Sequence, residues 1–231
     1  MQPDLRLTYD TLNIRSVNNK IEDVRQLMID RKLNILALTE TWHEDSACST
    51  IKLLRSLGMN VIETARPIPA DTDIYDAYFI NHGSIAVISR PGIRISKMSM
   101  RLFLPTFEHM CCRVTSGGTS MILAVLYRPG SRPPTSEFFE ELIKYLELLS
   151  TFDLPVTVTG DFNIHFRVPM KLTRRDLTTF FSHSGWLSTS RSRHVTVEEY
   201  WMLSLLRSTD PQKRCQLMMS AFRTTFCCPG L

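Results

Sequence analysis

Hydrophobic residues follow two different spacings along the chain, one typical of helices and one typical of strands. Between residues 17 and 32, and again between 133 and 149, the apolar positions recur at helical intervals with polar or charged residues between them. This spacing places the apolar side chains on one face, so both segments are predicted to be amphipathic helices. Those positions are Val17, Ile21, Val24, Leu27 and Met28, and then Phe138, Leu142, Tyr145, Leu146 and Leu149.

Shorter apolar runs have the length of strands. They are LNILALT (33–39), GSIAVIS (83–89), HMCCRV (109–114), SMILAVLY (120–127) and PVTVTG (155–160). The segment TSGG (115–118) between two of these runs is typical of a hairpin turn, so at least one strand pair is predicted to be antiparallel. Because strands and helices interleave, we expect an α/β fold with a mixed sheet.

Two further segments complete this outline. The stretch 64–82 is polar and irregular, and is predicted to be a long surface loop. In TRRDLTTFFSHSG, Thr173 and Asp176 have the spacing of a capping box, and Gly185 is placed to end the helix. A third helix is therefore predicted there.

Composition allows one globular domain and demands no particular partner. The chain has 231 residues, 43% of them hydrophobic, and its net charge of +4 tolerates nucleic acid without requiring it. No apolar run approaches the roughly 20 residues of a membrane-spanning helix, and no signal peptide is visible, so we expect a soluble intracellular protein. The six cysteines lack the C-x-x-C spacing of a zinc site and are interpreted as reduced thiols.

Polar groups follow three of the predicted strands at the point where each strand ends. Glu40 follows LALT, Tyr127 and Arg128 close AVLYR, and Asp161 and Asn163 follow TVTG. In open α/β sheets the strand ends form the usual ligand crevice, because the loops there carry polar groups on a rigid platform. We therefore expect these residues to share one site.

The residue types suit metal-assisted chemistry on a phosphate. The Glu40 carboxylate is a hard oxygen ligand of the kind that Mg²⁺ prefers. Asp161 can deprotonate or align an attacking water, and the Asn163 amide can donate to a phosphate oxygen. Arg128 can pair with a phosphate through two hydrogen bonds. Together they indicate metal-assisted phosphodiester hydrolysis.

Each of these groups also has an interpretation without chemistry. A lone carboxylate such as Glu40 is often only the first solvated residue after a strand. Gly-Asp-x-Asn often forms a turn closed by an Asx hydrogen bond. A Tyr-Arg pair before Pro129 can cap a strand edge. His43 and His165 are likewise interpreted as loop histidines rather than catalytic ones.

Taken together, five segments resemble the endonuclease/exonuclease/phosphatase superfamily. They are LNIRSVNNKIEDVRQLM with LNILALTETW, GSIAVISRPG, FEHMCCRV, ILAVLYRPGS and VTVTGDFNIH, in the order and approximate spacing of that superfamily. More narrowly, they look like the apurinic-type endonuclease domain of LINE-like (non-LTR) retrotransposons. The resemblance covers about residues 5–196.

This resemblance implies the fold and the metal side of the site. The fold would be a four-layer α/β/β/α sandwich of two mixed β-sheets, with the last strands missing or out of frame. Glu40 in LTETW would ligate the metal, and Asn13 in LNIRS would lie beside it. The implied cofactor is Mg²⁺, with Mn²⁺ as an alternative.

The resemblance also implies the groups that meet the phosphate. Tyr127 and Arg128 in YRP would contact the region of the scissile phosphate, Arg128 as a substrate-binding residue. Asp161 would activate the water, and Asn163 would orient the phosphate.

The function implied is nicking of target DNA, whose exposed 3′-hydroxyl then primes reverse transcription. The partners would be the DNA phosphate backbone and a reverse transcriptase in the parent polypeptide, with no membrane. The domain would be a nuclear monomer. Two alternatives stay open, another phosphatase or phosphodiesterase of the superfamily, and a non-catalytic, pseudogene-like fragment that binds nucleic acid.

The end of the chain departs from the family. The family closes with a strand carrying a Leu-Asp pair and then a Ser-Asp-His motif, and neither is present after residue 196. We therefore interpret residues 1–196 as an incomplete domain and 197–231 as an unrelated tail, poorly ordered or helical around EEYWMLSLLR. Whether this chain is an active enzyme is left open, with weak or absent activity expected.

We interpret the tail as the product of a frameshift. If each shifted codon takes the third base of one codon and the first two of the next, Trp201-Met202 and Met218-Met219 must each give an Asp. Permitted codon choices let residues 197–203 read Gly-Gly-Ile-Leu-Asp-Val-Val and residues 221–225 read Leu-Ser-Asp-His. The gene sequence tests this hypothesis, because one shifted frame must encode both motifs.

Overall fold

Two β-sheets and three helices make up the computed structural model, which describes residues 7–44, 48–66, 72–73, 82–164, 187–188 and 205–207. The helices are α1 (Ile21–Asp30), α2 (Ser49–Ser56) and α3 (Ser136–Leu149). The strands are β1 (Tyr9–Asn13), β2 (Ile35–Thr39), β3 (Asn60–Thr64), β4 (Ile85–Ser89), β5 (Arg94–Met98), β6 (Glu108–Ser116), β7 (Thr119–Tyr127), β8 (Val156–Asp161), β9 (Leu187–Ser188) and β10 (Leu205–Arg207).

Both sheets are mixed. In the described residues the first has the order β1-β2-β4-β3, with β1 and β2 parallel and the other pairs antiparallel. The second has the order β5-β6-β7-β8-β10-β9, with only β7 and β8 parallel. The predicted hairpin turn is confirmed, because β6 and β7 pair up to Ser116 and Thr119 around Gly117 and Gly118.

Three apolar clusters define four layers. One cluster joins α1 and α2 to the first sheet, a second fills the space between the sheets, and a third joins α3 to the second sheet. The alternation along β2 shows how one strand serves two clusters: Ile35 and Ala37 lie between the sheets, while Leu36 and Leu38 face the helices. The predicted four-layer α/β/β/α arrangement of two mixed sheets is confirmed.

The two predicted helices that fall in the described residues are present. The helix predicted at 17–32 is α1, and Val24 and Met28 are its buried residues. The helix predicted at 133–149 is α3, where the Thr135 hydroxyl caps the first turn by accepting from the Phe138 N–H at 3.3 Å. The predicted third helix around 173–185 lies outside the described residues, as does most of the predicted loop at 64–82.

Some elements were not predicted from the sequence. They are β1, α2, β3, β5 and β9; every residue of β5 is exposed or half-buried, which weakens the apolar signal of a strand. In the tail, Leu205–Arg207 form a strand rather than a helix, pairing with Val156–Val158 of β8. This pairing covers an edge of β8 that would otherwise expose unpaired backbone groups.

None of the helices in the described residues is long and apolar enough to cross a membrane. Among the described cysteines, Cys111 and Cys112 are buried free thiols, and Cys48 is a half-buried one. Burial raises the pKa of the Cys111 and Cys112 thiols to about 12, so both stay protonated and unreactive at neutral pH.

Candidate active site

The ends of four strands meet at one edge of the sandwich. Asn13 ends β1 and Glu40 follows β2, and these strands run parallel with Asn13 opposite Thr39. Tyr127 ends β7 and Asp161 ends β8, which also run parallel and pair these two residues directly. Parallel strands finish at the same edge, so each sheet brings two polar groups to it.

The two sheets are joined just below this edge. The Thr11 hydroxyl on β1 and the Thr159 hydroxyl on β8 lie 2.6 Å apart, both buried. A buried hydroxyl pair of this kind satisfies two polar groups that would otherwise be costly to bury. The link holds the ends of β1 and β8 together, and therefore holds Asn13 beside Asp161.

The Asn13 amide bridges the two carboxylates. Its Nδ2 donates to Glu40 Oε1 at 2.7 Å and to Asp161 Oδ2 at 2.8 Å. One amide nitrogen has two hydrogens, so both contacts are satisfied together. The bridge allows two negative charges from different sheets to sit on either side of one neutral donor.

Asp161 is the most buried carboxylate of the cluster, with 3% of its surface exposed. Burial raises its pKa above the ordinary value, and the Glu40 charge adds to that rise. Hydrogen bonds from the Asn13 amide and the Asn163 N–H, the latter at 3.2 Å, oppose it. The net effect makes Asp161 a stronger base than an exposed aspartate.

Tyr127 brings a neutral donor to Glu40. Its hydroxyl lies 3.0 Å from Glu40 Oε1 and 3.1 Å from the backbone carbonyl of His82, either of which can accept its single proton. Burial raises the pKa of the phenol well above its usual range, and the nearby Glu40 charge raises it further. Tyr127 therefore stays protonated and acts as a hydrogen-bond donor.

Arg128 has a different environment from the phosphate contact expected from the sequence. Its guanidinium donates to the carbonyls of Phe162, Asn163, Pro129 and Arg132, at 2.7 Å for Nε to Phe162 and 2.8 Å for Nη1 to Arg132. Four of its five N–H donors are thus engaged, and 5% of the residue is exposed. In the described part of the chain, Arg128 links the loop that contains Pro129 and Arg132 to the loop that contains Phe162 and Asn163.

Asn163 adds a hydrogen bond between the same two loops. Its Nδ2 donates to the Arg128 carbonyl at 2.6 Å, and the residue is 3% exposed with a φ of 47°. A Cβ on Gly130 would lie 3.0 Å from two atoms of the Asn163 side chain, so a larger residue there would press on that amide. The second amide hydrogen of Asn163 has no acceptor among the described residues and can serve a ligand.

The histidine assigned to a loop is buried. His43 Nδ1 lies 2.6 Å from the Thr41 hydroxyl and Nε2 lies 3.2 Å from Glu63 Oε2. Both ring nitrogens have protein partners, so His43 is interpreted as a structural residue rather than a catalytic one. His165 lies outside the described residues.

A family model named Endonuclease/Exonuclease/phosphatase family matches residues 11–198, which include all six candidate residues. The match extends over most of the chain. The chain belongs to the endonuclease/exonuclease/phosphatase family.

Solved structures of similar fold include enzymes with several substrates. The human Nocturnin catalytic domain with a bound sulfate anion has 16% identity and a TM-score of 0.59, covering 87% of this chain and 81% of that one. The endonuclease domain of TRAS1, a telomere-specific non-LTR retrotransposon, has 10% identity and a TM-score of 0.59, covering 86% and 83%. The mannosyl-6-phosphatase Bt3783 of Bacteroides thetaiotaomicron has 14% identity and a TM-score of 0.56, covering 88% and 86%.

At these identities the likeness establishes the fold alone. No curated protein sequence matches the chain. Membership of the endonuclease/exonuclease/phosphatase family carries a reaction class, hydrolysis of phosphate esters, and a general dependence on divalent metal ions.

The donor set of the candidate site fits a divalent metal ion. Glu40 Oε1 accepts from the Asn13 amide and lies 3.0 Å from the Tyr127 hydroxyl, whereas Oε2 accepts no hydrogen bond from the described residues. Mg²⁺ commonly uses one or two protein carboxylates and fills its other positions with water and phosphate oxygens. No cluster of three or more His, Cys, Asp or Glu side chains suited to a metal ion occurs in the described part of the chain, and Mg²⁺ does not need one.

Glu108 and Arg66, two charged residues that pack near Tyr127, were not singled out from the sequence. Glu108 Oε2 accepts from the Ser84 N–H at 2.7 Å, and Oε1 accepts from Arg66 Nε at 2.6 Å. The Arg66 guanidinium lies 5.9 Å from the centre of the Tyr127 ring. The residue pair Glu108 and Tyr127 is directly opposed across β6 and β7, a register that the hairpin turn alone could have indicated.

Proposed function

We propose that this chain derives from the apurinic-type DNA endonuclease domain of a LINE-like (non-LTR) retrotransposon. It would hydrolyse a phosphodiester of target DNA with Mg²⁺, or with Mn²⁺, and the 3′-hydroxyl left by the nick would prime a reverse transcriptase in the parent polypeptide. Such a domain acts in the nucleus, as a monomer. The observation that carries the proposal is the Asn13 amide holding Glu40 and Asp161 together beside the Tyr127 hydroxyl.

Each residue of this cluster has a task in the proposal. Asp161 takes the proton of the attacking water, and its raised pKa makes it a stronger base than an exposed aspartate. Asn13 orients both carboxylates, and Glu40 Oε2 would hold the metal. A metal bound there would stabilise the negative charge that develops on the phosphate.

The neutral donors complete the phosphate site. Tyr127 is kept protonated by burial and can donate to Glu40 or to a phosphate oxygen. The remaining amide hydrogen of Asn163 orients the phosphate. Arg128 is assigned a positioning role, because its donors hold the carbonyls of the loop that carries Asn163.

Activity of the chain as it stands is expected to be weak or absent. The family's closing Leu-Asp strand and Ser-Asp-His motif are not in the sequence, and removing members of a catalytic group typically lowers the rate by orders of magnitude. Under the frameshift hypothesis, the gene encodes both motifs in a shifted reading frame.

The experiment is plasmid nicking by the purified chain and by a version whose residues from 197 onward are encoded in the shifted frame. With Mg²⁺ we expect the restored version to convert supercoiled plasmid to the nicked form. Glu40→Gln and Asp161→Asn, each nearly the same size as the original, should lower its rate by about 100-fold or more. A chelator should stop the reaction, and Mn²⁺ should replace Mg²⁺.

Three results would contradict the proposal or its expectation of weak activity. A chain that nicks as well as the restored version, in a Glu40-dependent way, would show that the closing motifs are dispensable. A restored version that ignores DNA but hydrolyses a sugar phosphate would favour a phosphomonoesterase, the activity named for the Bacteroides thetaiotaomicron enzyme. Salt-sensitive DNA binding without cleavage by either version would favour the non-catalytic fragment.

A further inference from the structure

Two aromatic rings stack beside the candidate site without a role in the cluster of carboxylates. The rings of Trp42 and His82 have their centres 4.5 Å apart and their planes 29° apart. Trp42 is half-buried and His82 is exposed. The pair therefore forms a flat aromatic surface whose inner ring is held by the protein and whose outer ring meets solvent.

Backbone contacts fix this stack next to the site. The Trp42 N–H donates to the Gly83 carbonyl at 3.0 Å, which extends the pairing of the strands that precede and follow these residues. The carbonyl of His82 lies 3.1 Å from the Tyr127 hydroxyl, and that hydroxyl lies 3.0 Å from Glu40 Oε1. The His82 backbone carbonyl is thus one tyrosine hydroxyl away from the proposed metal ligand, which places the residue that carries the outer ring beside the site.

The backbone that carries the stack is strained. Trp42 has a φ of 55°, a conformation that a bulky residue avoids, and Ser84 has a φ of 75°. Strained residues tend to persist at functional sites. A Cβ on Gly83 would lie 2.2–2.4 Å from side-chain atoms of Glu108 and Arg66, so a larger residue after His82 would displace that ion pair.

We infer that the Trp42–His82 stack is a platform for a nucleobase of the DNA strand that is cut, next to the scissile phosphate. This inference rests on the proposed function. Bases of single-stranded DNA stack on aromatic side chains whatever their identity, because every base has a flat π-face. A ring already held by a second ring gives up little conformational freedom when the base arrives, which favours binding.

The experiment compares two probes with the same phosphates. One is a fluorescein-labelled single-stranded oligonucleotide of mixed sequence. The other carries abasic tetrahydrofuran residues in place of its nucleosides over the central stretch. Fluorescence anisotropy gives a Kd for each probe, measured with the full chain in a chelator so that no cleavage occurs. The ratio of the two Kd values isolates the contribution of the bases.

Variants of His82 separate stacking from charge. The original chain is expected to prefer the probe with bases, and His82→Ala should reduce that preference by about five- to tenfold, the lower end of the range for a stacked base. His82→Phe keeps a flat ring and should retain the preference. His82→Lys supplies charge without a ring, so it should tighten both probes without restoring the ratio.

Phe103→Ala is the matched control, since it removes another exposed aromatic ring, 89% exposed, that does not stack on Trp42. It should leave the ratio unchanged. Equal binding of both probes by the original chain, or a ratio restored by Lys and not by Phe, would overturn the platform while leaving the proposed endonuclease intact. Failure of the chain and its tail-restored version to bind either probe would overturn the platform, and plasmid nicking by the restored version would then decide the endonuclease proposal separately.

Discussion

Two polar clusters lie at the same edge of the sandwich, and their donors have different partners. In the first, Asn13 holds Glu40 and Asp161 so that one oxygen of Glu40 accepts no hydrogen bond from the described residues. In the second, Arg128 directs four of its five N–H donors to backbone carbonyls, and the Asn163 amide donates one of its two hydrogens to the Arg128 carbonyl. The first cluster keeps a carboxylate oxygen available for a metal ion, and the second mainly fixes the loops around it.

The comparison shows that residue type does not decide between chemistry and support. An arginine after a strand could pair with a phosphate, yet here the N–H groups of its guanidinium already donate to loop carbonyls. A buried guanidinium needs such partners, because desolvation lowers its pKa and only hydrogen bonds or negative charges such as Asp161 offset that cost. Separating the two clusters experimentally therefore means measuring stability and ligand binding side by side.

The largest effect is expected from Arg128→Lys. Lysine keeps the positive charge but cannot reach the carbonyls of Phe162, Asn163 and Arg132 together, which leaves buried acceptors unpaired. We expect the free energy of unfolding to fall by about 3 kcal/mol, measured by urea denaturation.

The matched control is Arg132→Lys, because the Arg132 side chain is exposed and only its carbonyl takes part. It should change stability by no more than about 0.5 kcal/mol. If Arg128→Lys instead unfolds at the same urea concentration as the original and binds DNA more weakly, the guanidinium is a phosphate contact and the comparison breaks down.

An intermediate effect is expected from Asn13→Ala. The change removes both amide hydrogen bonds and leaves the Glu40 and Asp161 carboxylates facing each other without a donor between them. We expect a loss of about 1–2 kcal/mol in the free energy of unfolding, and a smaller loss for Tyr127→Phe, which removes one hydroxyl. Nicking by the tail-restored version should fall in both. A loss as large as that of Arg128→Lys would place both clusters in the support of the fold.

The smallest expected effect is on the pH dependence of the free energy of unfolding. Burial raises the pKa of Asp161 in the folded state, so the folded chain holds that proton more tightly than the unfolded chain does. This contribution to stability is present at low pH and is lost as pH rises from the ordinary aspartate pKa, about 3.9, through the raised one. The difference in unfolding free energy between the original and Asp161→Asn should therefore change across that window.

An exposed carboxylate provides the control. Asp153→Asn removes one carboxylate from the surface and is the reference for losing a negative charge. A profile for Asp161→Asn that is parallel to that of the original chain would mean that the Asp161 carboxylate is not held in a desolvated site. Its role as the base would then lose its physical support.

Much of the fold could be predicted because burial leaves a local signal. The apolar runs that became β2, β4, β6, β7 and β8 are buried on one or both faces, and α1 and α3 carry regular apolar stripes. By contrast, β5 has no fully buried residue, so its pattern carried no such signal. Strands whose faces stay in water are recognised only once a neighbour pairs with them.

For the candidate site, the positions were predictable and the partners were not. Glu40 and Asp161 were selected because polar groups follow buried strands, and the structure brings them together through Asn13. His82 had no such signal, since it falls within a polar, irregular stretch. Its relation to Trp42 depends on contacts between segments 40 residues apart in the chain.

The sequence by itself determined which segments bury their side chains and which strand ends carry polar groups, because alternation and spacing are local properties. Only the tertiary structure decided that β1 and β8, from different sheets, place Asn13 and Asp161 within hydrogen-bond distance. It also decided that the Arg128 guanidinium donates to the carbonyls of Phe162 and Asn163. Hydrogen bonds between distant segments follow from how the sheets pack, and no local pattern encodes that packing.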